Sequence, residues 1–118
     1  MIILDNRLTF NLKNSDGLTT LYLIGKIDTL GARIFEKKIK EVLSQDIKNL
    51  KFNFKDVEYL SSSGLRIILY TKKEMQKRNP DIELIIEDPQ KQVVDVLNMT
   101  GFSDEVVEVK YTENTNIS

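Results

Sequence analysis

The chain has 118 residues, 41% of them hydrophobic, which is enough for one domain around one core. It contains no cysteine and no histidine, so disulfides, thiolate metal sites, a Ser-His-Asp triad and the commonest general base are all excluded. Charged residues make up 30%, of both signs, with a net charge of -1, and without clustered Lys and Arg a nucleic-acid partner is not expected. No apolar run approaches the roughly 20 residues that span a bilayer. Met1 to Asn6 is too short and too soon acidic for a signal peptide, so a cytoplasmic location is expected.

Leu8-Thr9-Phe10-Asn11-Leu12 alternates apolar and polar residues, as a half-buried strand does. Asn14-Ser15-Asp16-Gly17 signals a turn, and Thr20 to Ile24, continuing to Ile27, is a second strand that can close an antiparallel hairpin. Asp28-Thr29 is a good helix cap. The helix it opens runs to about Ser44, with Phe35, Ile39, Val42 and Leu43 on one face and Lys37, Lys38, Lys40 and Glu41 mostly toward water. Leu50 to Phe54 reads as a buried third strand. A second helix follows the serines and stops before Pro80, with Leu65, Ile68, Leu69 and Met75 inward. Lys72, Lys73, Lys77 and Arg78 fall near its end, where they complement the helix dipole.

Glu83 to Glu87 is a fourth strand. Asp88-Pro89 predicts a third helix with an acidic cap and proline at its first position, carrying Val93, Val96 and Leu97 inward and ending at Gly101-Phe102. Val106 to Val109 is a last short strand, and 111–118 is expected to fray. Repeated strand-helix-strand units imply an α/β fold: a mixed, mostly parallel sheet of four to five strands with helices packed against it, the first strand being the antiparallel exception. The whole of 1–118 reads as one domain with its core at about 6–110.

The segment Val57-Glu58-Tyr59-Leu60-Ser61-Ser62-Ser63-Gly64-Leu65-Arg66 carries the most information. Its serines stand at a strand-to-helix junction, where free N–H groups and the positive end of the helix dipole favour an added negative charge such as a phosphate. Ser61 or Ser62 can serve as the helix cap, and Ser61 and Ser63 also suit turn and first-turn positions. Gly64 allows close approach of a neighbouring element or a partner. Tyr59 and Leu60 either contact a partner or close over the core. A serine nucleophile is disfavoured, because neither a Gly-x-Ser-x-Gly pattern nor a histidine base is present.

Four stretches in order resemble the STAS domain family of anti-sigma factor antagonists: Leu23-Ile24-Gly25-Lys26-Ile27-Asp28, Phe52-Asn53-Phe54-Lys55-Asp56-Val57, Ser62-Ser63-Gly64-Leu65, and Val96-Leu97-Asn98-Met99-Thr100-Gly101-Phe102. The resemblance implies a single STAS-like domain that is not an enzyme and uses no cofactor. It implies binding to an anti-sigma factor serine kinase in a partner switch that governs sigma-factor-dependent transcription. It also implies phosphorylation of Ser62 by that kinase and reversal by a serine phosphatase. The surface so implied comprises Asp28, Thr29, Tyr59, Leu60, Ser61, Ser62, Ser63 and Gly64, on a monomer or weak dimer. The sequence departs from the family pattern at Ser61, where an aspartate is usual. That change favours an alternative role as a non-phosphorylated scaffold or adaptor in a larger signalling assembly.

Overall fold

The structure is a computed structural model, which describes residues 7–99 and 108–112. The elements are β1 (Thr9–Ser15), β2 (Leu18–Ile27), α1 (Thr29–Leu43), β3 (Asn49–Leu60), α2 (Ser62–Arg78), β4 (Leu84–Glu87), α3 (Lys91–Met99) and β5 (Glu108–Lys110). The sheet order is β1-β2-β3-β4-β5. β1 is antiparallel to β2, and every later pairing is parallel. The hairpin is tighter than the sequence suggests. Ser15 pairs with Leu18, so the turn is Asp16-Gly17 alone, both at positive φ (50° and 80°). Two such residues make the turn whose twist matches the flanking strands.

One face of the sheet carries the core. Leu21 and Leu23 on β2, Leu50, Phe52 and Phe54 on β3, and Leu84 and Ile86 on β4 are buried there. They meet Phe35 and Ile39 from α1, Ile68 and Met75 from α2, and Val93 and Leu97 from α3 in a single cluster. Aromatic rings tie three elements together. Phe10 stacks on Phe35 at 6.5 Å, Phe35 meets Phe52 edge-on at 5.3 Å, and Phe52 lies over Phe54 at 6.1 Å. Each such side chain contributes about 1.5–3 kcal/mol by leaving water. The opposite face is polar, and there Lys51 pairs with Glu87 at 2.9 Å while Asn53 donates to the same carboxylate at 2.7 Å.

β3 runs six residues past Phe54, the expected end of the strand. Leu50, Phe52 and Phe54 alternate, but the next buried residues are Val57 and Leu60, three apart. The register against β2 slips twice, between Tyr22/Ile24 and between Gly25/Lys26, so β3 carries an extra residue at each slip. A bulge turns the strand by one residue and breaks the period of two. β4 pairs with β3 only as far as Asn53. Beyond it two glutamine side chains take the place of a strand: Gln90 donates to the Lys55 carbonyl and Gln92 to the Glu58 carbonyl, both at 2.8 Å.

The start of α3 corrects the expectation for Asp88-Pro89. The helix begins at Lys91, and the Gln90 carbonyl accepts from Val93 and Val94 at 3.0 Å. Asp88 stands at φ 54°, a left-handed conformation that aspartate tolerates better than most residues. Its N–H donates to the Lys110 carbonyl at 2.9 Å, and its carboxylate accepts from the backbone and hydroxyl of Thr112. The acidic side chain therefore latches the end of β5 instead of capping a helix. Of the expected closing motif, Thr100, Gly101 and Phe102 lie outside the described residues, as do Val106, Val107 and the tail from 113 onward.

Candidate functional site

β2 and β3 are parallel neighbours, and each passes straight into a helix. The two helix N-termini therefore emerge side by side beyond the carboxyl ends of the strands, the usual place for sites in such sheets. The ladder closes with Ile27 opposite Leu60, and the Ser61 N–H then donates to the Ile27 carbonyl at 2.8 Å.

The two helices begin in the same way. Asp28 is the cap of α1: its Oδ1 accepts from the Gly31 N–H at 2.7 Å, and its carbonyl accepts from Ala32 at 2.8 Å. Ser61 is the cap of α2: its Oγ accepts from the Gly64 N–H at 3.0 Å, and its carbonyl accepts from Leu65 at 3.0 Å. The Ser61 and Ser63 hydroxyls lie 3.0 Å apart and share a hydrogen bond. Ser62, the first residue of α2, is exposed, and its hydroxyl has no partner among the described residues. The helix dipole and the unshared N–H groups of the first turn give this point a positive potential.

The glycines that follow the caps make this arrangement possible. A Cβ at Gly31 would stand 2.3 Å from the Lys26 carbonyl oxygen, and one at Gly64 would stand 2.5 Å from Ile27 Cγ2 and 2.8 Å from Leu60 Cδ1. Each helix is thus seated directly on the end of a strand.

Of the surface expected from the sequence, Asp28, Thr29, Ser61, Ser62 and Ser63 come together here. Tyr59 is 49% exposed beside Lys26 at the end of the β2–β3 ladder. Leu60 and Gly64 are corrections to that expectation. Leu60 is 1% exposed because the second bulge turns it into the core, and Gly64 is buried against Ile27 and Leu60. Neither presents a surface to a partner. Asp56 and Glu58 line a cleft of about 420 Å³ with Arg7, Ile24, Lys26 and Gln90.

Three features were not anticipated. Leu30, on the first turn of α1, is 58% exposed. Arg33 and Arg66 face a groove between α1 and α2 that opens at Ser63. The spacing of Ser62 and Arg66, four apart on one helix face, was a signal available in the sequence. Among the described residues no helix is long and apolar enough to cross a membrane.

Comparison with known proteins bears on this geometry. The model of the family described as STAS domain matches residues 9–116. The chain is 24% identical over 94 residues to the anti-sigma-B factor antagonist of Bacillus subtilis (strain 168), spanning 80% of this chain and 84% of that protein. Among solved structures it is similar to an anti-sigma factor antagonist from Mycobacterium paratuberculosis, with a TM-score of 0.76 and 21% identity over 92% of this chain and 90% of that one. It is also similar to the Bacillus anti-sigma factor antagonist SpoIIAA. For the unphosphorylated form the TM-score is 0.73 at 18% identity, over 90% of each chain. For the phosphorylated form it is 0.67 at 18% identity, over 90% of this chain and 93% of that one.

Proposed function

The chain belongs to the STAS domain family, and from that membership we propose that it is an anti-sigma factor antagonist whose binding face is the paired N-termini of α1 and α2. It captures a cognate anti-sigma factor serine kinase and so frees a sigma factor. Phosphorylation of Ser62 by that kinase ends the capture, and a serine phosphatase restores it. The protein acts by binding and is not itself an enzyme.

The observation that carries this reading is the division of labour between adjacent serines. Ser61 Oγ holds the helix cap, and Ser62 Oγ is exposed with no partner among the described residues. A kinase can therefore modify Ser62 without unmaking the cap. A phosphoserine carries about −1.5 to −2 charges, which the helix N-terminus accommodates. A protein docked over the same point would have to desolvate that dianion, so affinity falls while the fold persists. The naming of relatives as anti-sigma factor antagonists, one of them solved in both phosphorylation states, supports the same reading.

Ser61 favours a second reading, a scaffold or adaptor that is never phosphorylated, because it brings no charge where the family usually places an aspartate. The experiment that separates the two is site-resolved mass spectrometry of the protein from its native cells, with phosphatases inhibited. Phosphate on Ser62, lost in Ser62→Ala and kept in Ser61→Ala, supports the switch. A chain unmodified across growth and stress conditions removes the switch and leaves the scaffold.

A further inference from the structure

The groove between α1 and α2 has a volume of about 390 Å³ and begins at Ser63. Its floor is apolar, formed by Ala32, Ile67 and Tyr70, and one arginine stands on each side: Arg33 on α1 and Arg66 on α2. Among the other described cations, Lys38, Lys40, Lys51, Lys77, Lys91 and Lys110 each lie within 4.0 Å of a carboxylate, whereas Lys26, Lys37, Lys48, Lys55, Lys72 and Lys73 do not. Arg33 and Arg66 are exposed, and neither guanidinium has an ion pair or hydrogen bond among the described residues. The carboxylate on the groove wall, Glu36, lies 4.0 Å from Lys40 on its own helix.

Two unpaired guanidinium groups across an apolar floor are complementary to one kind of ligand. Arginine offers a planar fork that grips a carboxylate with two hydrogen bonds, and an apolar side chain gains by covering Ile67 and the Tyr70 ring. Arginine and tyrosine are also the residue types that dominate interface energetics. We propose that this groove seats a segment of the partner that places an acidic side chain beside an apolar one, with Arg33 and Arg66 as its anchors. The proposal rests on the reading that an anti-sigma factor kinase docks over the serine face, with which the groove is continuous through Ser63. It also adds a second effect of phosphorylation. A phosphate on Ser62 lies one helical turn before Arg66, so it competes with the partner's carboxylate for that guanidinium.

The test is calorimetric titration with the anti-sigma factor kinase of the same genome that binds the parent chain most tightly. Arg33→Ala and Arg66→Ala each weaken binding by about tenfold or more, the size expected of an interface anchor. Arg66→Lys recovers only part of the loss, because an ammonium cannot form the fork. Lys73→Ala, on an exposed position of α2 outside the groove, stays within about twofold of the parent. All four variants unfold at the parent's temperature, since the substituted side chains are exposed. If both alanine variants bind within twofold of the parent while Ser62→Asp abolishes binding, the groove is idle and the proposal fails, but the switch stands. If the arginine variants lose self-association and keep the kinase, the occupant is a second copy and the proposal again fails. If no such kinase binds the parent, the partner class itself is wrong, and the proposal falls with it.

Discussion

Replacing Gly64 with alanine separates packing from recognition at the serine segment. The new Cβ meets Ile27 Cγ2 at 2.5 Å and Leu60 Cδ1 at 2.8 Å, both well inside ordinary carbon contact. Ile27 and Leu60 are 0% and 1% exposed, so neither can swing into water, and the β-branch of Ile27 is stiff at χ1. Overpacking a core costs about 1–3 kcal/mol, and two simultaneous contacts put Gly64→Ala in the upper part of that range. Alanine recovers up to about 1 kcal/mol in helix propensity, which leaves a net loss of about 2 kcal/mol. A chain of 118 residues unfolds with an entropy of about 0.25 kcal/mol/K, so the melting temperature falls by about 8 °C. Scanning calorimetry measures this, and a urea titration should show a lower midpoint at an unchanged slope. Ile27→Leu removes the offending Cγ2 at conserved volume, so the double variant recovers part of the loss, with a coupling of about 0.5 kcal/mol or more. A Gly64→Ala protein that melts within about 1 °C of the parent but loses its partner would refute this reasoning and make Gly64 a contact residue after all.

The same contacts make Gly31→Ala more damaging, because its Cβ would stand 2.3 Å from a backbone oxygen that cannot rotate away. A loss of about 3 kcal/mol or more, read as a lower urea midpoint, is expected. Ser61→Ala removes the α2 cap and costs about 1 kcal/mol, whereas Ser62→Ala stays within about 0.5 kcal/mol of the parent; equal losses in thermal unfolding would contradict the assigned roles. Ser61→Asp restores a charged cap and adds about 0.3–1 kcal/mol at low ionic strength, a gain that should shrink in salt. Glu87→Ala leaves the buried Asn53 amide without its 2.7 Å acceptor and costs about 1–3 kcal/mol in denaturant titration.

The fold was legible where a residue's environment follows from its neighbours in the chain. Phe35, Ile39, Val42 and Leu43 mark the buried face of α1 by their spacing alone, and Asp28 declares its start. What could not be read there depends on contacts between distant residues. The extension of β3 to Leu60 was hidden because its two bulges change the burial period from two to three, and bulges follow from the pairing with β2, not from β3's own sequence. Asp88-Pro89 has the form of a helix start, and only the docking of β5 at Lys110 and Thr112 shows that Asp88 is engaged elsewhere.

The candidate site divides along the same line. A run of serines before a glycine announces a helix N-terminus, and Ser61, Ser62 and Ser63 do open α2, but propensity cannot say which of two adjacent serines is the cap. The Ser61 N–H bond to Ile27 decides it. Continuing the β2–β3 ladder one residue past Leu60 fixes the backbone of Ser61 in the extended conformation that a cap requires, φ -84° and ψ 168°, and directs its Oγ at the Gly64 N–H. Ser62 is then the first helical residue, with its hydroxyl left in solvent. The same ladder turns Leu60 inward and requires Gly64 to be small. An apolar residue and a glycine that look like parts of an exposed motif are therefore the packing that holds it in place. Arg66 escaped notice for the converse reason. On its own helix it is one more exposed cation, and it acquires a role only because the parallel pairing of β2 and β3 brings Arg33 to the other side of the groove.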